Sequence, residues 1–318
     1  MYIRIVLTVV LVCGILWYLD GVDELIRIIQ SADILILGLA VLVVTIDRAL
    51  MTYKWLNLLK SRSIEVPFLK GMRIYCASMI WAQFLPTGGA DAIRAYSTYK
   101  HGFSGNEIVA SIIVERMVGF LVALIFGLLG FIILKNYINI GNGYDSWWWL
   151  GWLSFLFAII VFAVSFSDNL FHLLDRITPE KLMNNKIFRK LKELHETYLS
   201  YKASLKVMSY FFTLTAIENL VAIFLGLVIA WSLGIKMDPL IMFSVVPLTV
   251  LVSRLPISID GIGVTEGVFI FLMSFGGYTA AEAVSISLLA RVMQIIGSLP
   301  WWLAFVFENK KITPPQSA

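Results

Sequence analysis

Six stretches of this chain are apolar for long enough to cross a lipid bilayer, and that property removes most of the folds open to it. They run over residues 3–19, 34–56, 105–134, 147–167, 208–234 and 281–307. A hydrocarbon core takes about 20 helical residues or about 10 strand residues to cross, and inside it every backbone amide needs a partner from the protein. Continuous runs of this length are helical. The chain is therefore expected to be an all-α polytopic membrane protein with six full transmembrane helices. Composition agrees, because 59% of the residues are hydrophobic and 14% charged, far from the balance of a soluble protein.

The chain also repeats itself. Gly102-Phe103-Ser104-x-x-Glu107-x-Val109, followed by Arg116, returns 175 positions later as Gly277-Tyr278-Thr279-x-x-Glu282-x-Val284, followed by Arg291. Upstream of each copy lies a charged segment rich in Pro and Gly, Pro86 to Arg94 and Pro256 to Glu266. Asp47 in the second span aligns with Glu218 in the fifth. One structural unit used twice is how many membrane transporters are built. Residues 67–86 and 239–256 are apolar up to a proline, and residues 88–101 and 261–276 then return broken by Gly or charge. Irregular backbone cannot face lipid. Each pair is read as a re-entrant hairpin whose tip is buried in protein or faces a water-filled cavity. The chain is then one integral membrane domain, 1–318, with repeat one over about 1–136 and repeat two over about 147–308.

Loop charges orient this arrangement. Lys54, Lys60, Arg62, Lys70 and Arg73 follow the second span, and a basic stretch runs from Arg176 to Lys206. Such loops belong in the cytosol. The loops holding Asp20, Asp23, Glu24 and Asp33, or Gly141 to Asp145, carry few cations and belong outside. Both termini are then cytosolic. An odd number of crossings separates one hairpin from its copy, so the hairpins are opposed and the repeat is inverted. Residues 3–19 are expected to stay as a first helix, since no small-x-small cleavage site follows them.

The polar residues within these spans suggest an anion site. Ser104 and Thr279 precede Glu107 and Glu282 by three residues, the spacing of a capping box. Counting twelve residues from each cap at 1.5 Å rise puts Arg116 and Arg291 roughly 18 Å deep, near mid-membrane. Glu115 could neutralise a neighbouring helix, but Arg291 has Ala290 at the equivalent place and needs an anionic ligand or a carboxylate from elsewhere. Gly88, Gly89, Gly261 and Gly263 break the backbone before short helices whose N-termini attract anions. Asp91 and Arg94 stand in the first of these helices. Arg254 stands beside the second tip, with Asp260 as an alternative partner. Glu266 stands where a helix start favours an acid, which serves helix stability or substrate and proton handling equally well. Asp47, Glu115 and Glu218 are expected to compensate the arginines or couple movement to protons, because an unpaired charge at a helix centre costs about 2.5 to 3.5 kcal/mol. Asp47 and Glu218 could instead form structural ion pairs between helices. Arg48 is taken as only a neighbour of Asp47, since adjacent positions point about 100° apart.

Pro86 followed by Asp91 and Arg94, the Glu115-Arg116 pair, and Pro256-x-Ser258-x-x-Gly261-x-Gly263-x-x-Glu266 together resemble the transmembrane region of lysylphosphatidylglycerol synthases and its stand-alone, flippase-like relatives. Ala90 stands where that family often has Gly. The resemblance spans nearly the whole chain. It implies movement of an anionic phospholipid or a lipid-linked, polyprenyl-type substrate across the cytoplasmic membrane by alternating access. It further implies enzymes of lipid or glycan synthesis as candidate partners. The soluble aminoacyl-transferase domain of full synthases has no counterpart here, so the chain is not expected to be an enzyme. An intramembrane lipid-modifying enzyme, a small-anion transporter and a scaffold for cell-envelope synthesis are the alternatives.

Other features carry less. His101, His172 and His195 are scattered, so no catalytic residue, metal site or cofactor is expected, and nothing suggests nucleic acid. Cys13 and Cys76 fall in apolar runs and are expected to be buried thiols. Ile187, Leu191, Leu194, Tyr198, Tyr201 and Leu205 alternate by four and three among lysines. That pattern predicts an amphipathic helix within a cytosolic insertion of about 169–206, suited to lie on an anionic leaflet or to pack as a connector. Trp147, Trp148, Trp149, Trp152, Trp301 and Trp302 sit at span ends as interfacial anchors.

Overall fold

The computed structural model of the chain describes residues 23–83, 85, 89–100, 105–135, 186–201, 204–253, 258 and 261–310, with single positions in 8–15 and 149–160. Ten helices carry these residues, and no strand occurs among them. They are α1 (Asp23–Gln30), α2 (Ile34–Lys60), α3 (Phe68–Ala82), α4 (Gly89–Tyr99), α5 (Gly105–Lys135), α6 (Lys186–Ser200), α7 (Leu205–Ser232), α8 (Pro239–Ser253), α9 (Val264–Ser274) and α10 (Ala280–Lys310). Four, namely α2, α5, α7 and α10, are long and apolar enough to cross a membrane. The expected spans over 3–19 and 147–167 lie mostly outside the described residues, and the positions of theirs that are described are helical.

Local chemistry explains where the helices begin and break. Asp33 caps α2 by accepting from the amides of Leu35 at 2.8 Å and Ile36 at 3.3 Å, which satisfies two of the four orphan donors at a helix start. At α10 the expected capping box is present. Thr279 N donates to Glu282 Oε2 at 2.8 Å, and Glu282 N donates to Thr279 Oγ1 at 3.2 Å. The matching cap at Ser104 lies outside the described residues. The apolar stretches predicted to break do so: α3 stops at Ala82 and α4 starts at Gly89, while α8 stops at Ser253 and α9 starts at Val264. Gly261 and Gly263 hold φ of +71° and +82° before α9, a region L side chains avoid.

Packing follows a pattern of exchange. The last helix of the first half, α5, packs on α8, and the last helix of the second half, α10, packs on α3. In the same way α6 packs on α5 as α1 packs on α10, and α4 on α5 as α9 on α10. The equivalent helices α2 and α7 pack on each other and run antiparallel. Asp33, at the start of α2, donates its amide to the Ser232 carbonyl at the end of α7. Tyr53, late in α2, meets Tyr210, early in α7, with hydroxyls 3.2 Å apart.

Close approach of α5 and α8 depends on Gly130. A Cβ there would lie 2.7 Å from the Cα of Ser244, and backbone cannot yield as a side chain does. Small residues are how helices gain contact in lipid, where no hydrophobic drive between them exists. Gly130→Leu is expected to cost about 1–3 kcal/mol through overpacking, read as a lower thermal midpoint in detergent. Gly38→Ala, with nothing within 4 Å of the added methyl, is expected to leave the midpoint unchanged or raise it. Equal midpoints for Gly130→Leu and the native chain would overturn this account.

Two expectations are corrected here. The C-terminal part of the α6 stripe packs on protein rather than lying free for a leaflet: Tyr198 and Tyr201 are buried with Leu58, Val114, Val118 and Phe211, and Arg62 covers the Tyr201 ring at 4.2 Å. This is the packing of a connector, the second of the two readings, while Leu205 at the end of the stripe is exposed. Cys76 is buried as expected, but Cys13 is exposed.

Candidate functional site

A cavity of about 720 Å³ opens between the two halves. Its wall takes Asp91 from α4 and Arg116 from α5, then Glu266 from α9 and Arg291 from α10. Two acid and arginine pairs face it. Arg116 donates from Nε to Asp91 Oδ2 at 2.9 Å and from Nη2 to Asp91 Oδ1 at 3.0 Å, a bidentate fork. Arg291 donates from Nη2 to Glu266 Oε1 at 3.2 Å. The offset of 175 that relates the arginines relates the acids as well, Asp91 to Glu266. Each half therefore places the same pair at the same spacing, an acid in the first turn of a short helix and an arginine on the long helix that follows.

Each acid has a local task too. Glu266 Oε2 accepts the Gly263 amide at 2.6 Å, so the residue closes the helix start, the first of its two expected tasks, while its other oxygen holds Arg291. Arg291 thus has the carboxylate from another helix that its lone position demanded. Gly261 lines the cavity, and Gly263 sits behind it through that amide. Gly89 begins α4 beside the cavity-lining Ala90. Gly88 and Arg254 lie outside the described residues, as does Asp260.

Arg94 does not reach the cavity, a correction to its expected place. It is 1% exposed, its Nη1 sits 2.6 Å from Glu115 Oε2, and its guanidinium lies 4.9 Å from the Trp55 ring and 4.7 Å from the Tyr75 ring. Tyr75 donates its hydroxyl to Glu115 Oε1 at 2.7 Å. Arg94 also touches Asp91 at 3.3 Å, so this buried cluster braces the acid that holds Arg116. Glu115 compensates Arg94 and not a cavity arginine. The helical turn decides this, for Glu115 and Arg116 are neighbours on faces about 100° apart.

The remaining acids stand away from the cavity. Glu218 pairs with Lys54, and Lys54 also lies 5.2 Å from the Phe211 ring. This links α2 to α7, as the structural alternative had it. Asp47 contacts Arg48 at 3.2 Å, contrary to the view of them as mere neighbours. The long arginine side chain bends back, and it also donates to Gln294 Oε1 at 3.0 Å and Ser298 Oγ at 3.2 Å on α10. Gln294 lines the cavity, so Asp47 stands two contacts behind it. No group of three or more potential metal ligands occurs among the described residues.

Sequence reasoning missed Lys54, Trp55 and Tyr75 as partners. It could have found Asp91 and Glu266 as equivalent acids, since they stand at the same offset of 175 as the arginines.

The pattern that defines the lysylphosphatidylglycerol synthase TM region matches residues 5–300. The chain belongs to that family. Among its relatives is a UPF0104 membrane protein of Pyrococcus horikoshii, 25% identical over 98% of each chain. Another is a UPF0104 membrane protein of Methanothermobacter thermautotrophicus, 22% identical over 91% of this chain and 92% of the relative. As a member of this family the chain is a multi-pass membrane protein, and every residue given above for its cavity lies within the matched stretch.

Proposed function

We propose that this protein is a flippase that moves an anionic phospholipid or lipid-linked substrate across the cytoplasmic membrane by alternating access. The observation that carries this reading is the cavity between the halves, walled by two equivalent acid and arginine pairs. A headgroup that displaces Asp91 from Arg116, or Glu266 from Arg291, exchanges one charge-assisted contact for another, so entry and release are both accessible. The exchanged packing and the antiparallel α2 and α7 support an inverted repeat. In that arrangement the α3–α4 and α8–α9 pairs act as opposed re-entrant hairpins among six full spans, and both termini are cytosolic. Two related conformations of nearly equal energy are what such a repeat supplies. The family name, which refers to a synthase of a charged phospholipid, supports lipid as the cargo. Transport rather than lipid modification is the reading favoured, because the four charged groups on the described cavity wall are taken up in two ion pairs.

The test is purified protein in vesicles containing a fluorescent, headgroup-labelled anionic phospholipid. Flipping well above empty vesicles is expected. No flipping with any anionic or polyprenyl lipid, with or without a pH gradient, would return the protein to the enzyme or scaffold classes. Topology is tested separately: Ser317→Cys is expected to resist an impermeant thiol reagent in intact cells, and its labelling there would sink the inverted arrangement.

A further inference from the structure

The cavity arginine Arg116 rides on α5, and α5 is joined to α6 by an apolar seam. Tyr198 and Tyr201 share a buried cluster with Val114 and Val118, which stand two residues either side of Arg116. Asn106, at the start of α5, also donates to Glu193 Oε2 of α6 at 3.5 Å. A side chain from outside this pair fastens it to the rest of the protein. Arg62, at the corner between α2 and α3, donates from Nη2 to Ser200 Oγ and, at 3.4 Å, to the Thr197 carbonyl. Its guanidinium covers the Tyr201 ring, and its Nε stands 3.6 Å from Glu107 Oε2 on α5. Each of these partners belongs to α5 or to α6 and the residue that follows it.

The Arg62 contacts have the character of a latch that can open. The Nε to Oε2 separation is too long for a hydrogen bond, and neither atom has a hydrogen-bond partner among the described residues. The two side chains are 20% and 30% exposed, so water takes up both charges when they part. Arg94 and Glu115 cannot part in this way, being buried. The latch is also confined to one end of the molecule. The offset of 171 that takes Asp47 to Glu218 takes Arg62 to Leu233, a buried member of an apolar cluster. We infer that Arg62 latches α5 and α6 as one unit against the α2–α3 corner, and that release of this latch lets the unit swing and opens the cavity toward the α6 end. The second conformation is the one that alternating access supplies, so the inference rests on that reading for its part in transport. Swinging keeps Tyr198 and Tyr201 against α5, so the apolar seam survives, and Arg116 is carried with its helix.

Two measurements on the full chain test this. In a Cys13→Ala background, Ser287→Cys on the cavity wall is labelled in detergent by a water-soluble maleimide, Cys76 being fully buried. Arg62→Gln is expected to raise the labelling rate about tenfold, the weight of one hydrogen bond to a charged group in an opening equilibrium. Arg73→Gln, which breaks the exposed Arg73 to Glu308 pair, is expected to leave the rate unchanged. Equal rates with and without Arg62→Gln overturn the latch, as does an equal rise in both variants. In vesicles, a reducible bifunctional thiol reagent joins Arg62→Cys to Ser200→Cys. Flipping is expected to stop and to return on reduction, whereas a link between Asn106→Cys and Glu193→Cys, inside the unit, leaves it running. Flipping that persists through the first link overturns the latch and keeps the flippase reading. Arrest by both links overturns the unit. Labelling that follows the latch in a chain that flips no lipid keeps the latch and overturns the flippase reading.

Discussion

Arg116→Gln combined with Arg291→Gln reduces lipid transfer to the level of empty vesicles while the protein still folds. Each arginine offers charge-assisted hydrogen bonds of about 1.5–3 kcal/mol to a phosphate, and every 1.4 kcal/mol is tenfold in affinity. Each single variant should therefore lose roughly 10- to 100-fold in transfer at low substrate. Folding survives because Asp91 keeps Arg94 at 3.3 Å and is itself 21% exposed, and because the glutamine amide at position 291 can still donate a hydrogen bond to the 7% exposed Glu266. Arg116→Lys should recover only part of the loss, since an ammonium cannot reproduce the two-toothed grip on Asp91. Initial rates of fluorescence loss in the vesicle assay give the measurement. Full transfer by the double glutamine variant would remove the anion site from the mechanism.

Glu115→Ala has the opposite signature, a protein that fails before it can be assayed. The substitution strands the Arg94 guanidinium among Trp55 and Tyr75, with Asp91 at 3.3 Å as its remaining acid among the described residues. Removing one partner of a buried ion pair costs about 3–5 kcal/mol, a large part of a typical domain's stability. Low yield and a sharply lowered thermal midpoint are expected. Arg94→Met with Glu115→Leu should restore much of the midpoint, because replacing both members by apolar groups avoids the stranded charge. If that double variant regains stability but transfers lipid slowly, Arg94 acts by bracing Asp91. A native midpoint for Glu115→Ala would mean the pair contributes little.

The contrast between these two arginines shows where sequence reading reaches its limit. Span positions were legible because hydrophobic length is a one-dimensional property: residues 34–56 and 281–307 were expected, and α2 and α10 run over Ile34–Lys60 and Ala280–Lys310. The extra turn of α2 mixes the polar Asn57 and Lys60 with the buried Leu58 and Leu59, and that of α10 is polar, Glu308 to Lys310; helices continue through such residues when tertiary contacts hold them. Helix breaks at Gly89 and Gly263 were legible from backbone chemistry. The cavity assignment of Arg116 and Arg291 came from counting turns and agrees with their place on the wall. Arg94 was misplaced because whether a guanidinium faces a cavity or an aromatic pair depends on which helix lies behind it. Lys54 went unnoticed as the partner of Glu218 for the same reason, since their pairing crosses two helices distant in the chain.

The exchanged packing of α5 on α8 and α3 on α10 fixes the order in which this protein can be completed. Helices leave the ribosome in sequence, and α5 is made before α6 and α7, let alone the α8 surface that receives it. For α3 the wait is longer, since its partner is the final helix. Until α10 is inserted, the early helices must hold polar groups such as Asp91 and Arg116 in the bilayer without their final enclosure. Biogenesis is therefore a single late closure rather than two successive foldings, and truncation near the C-terminus strikes the first half of the protein as hard as the second.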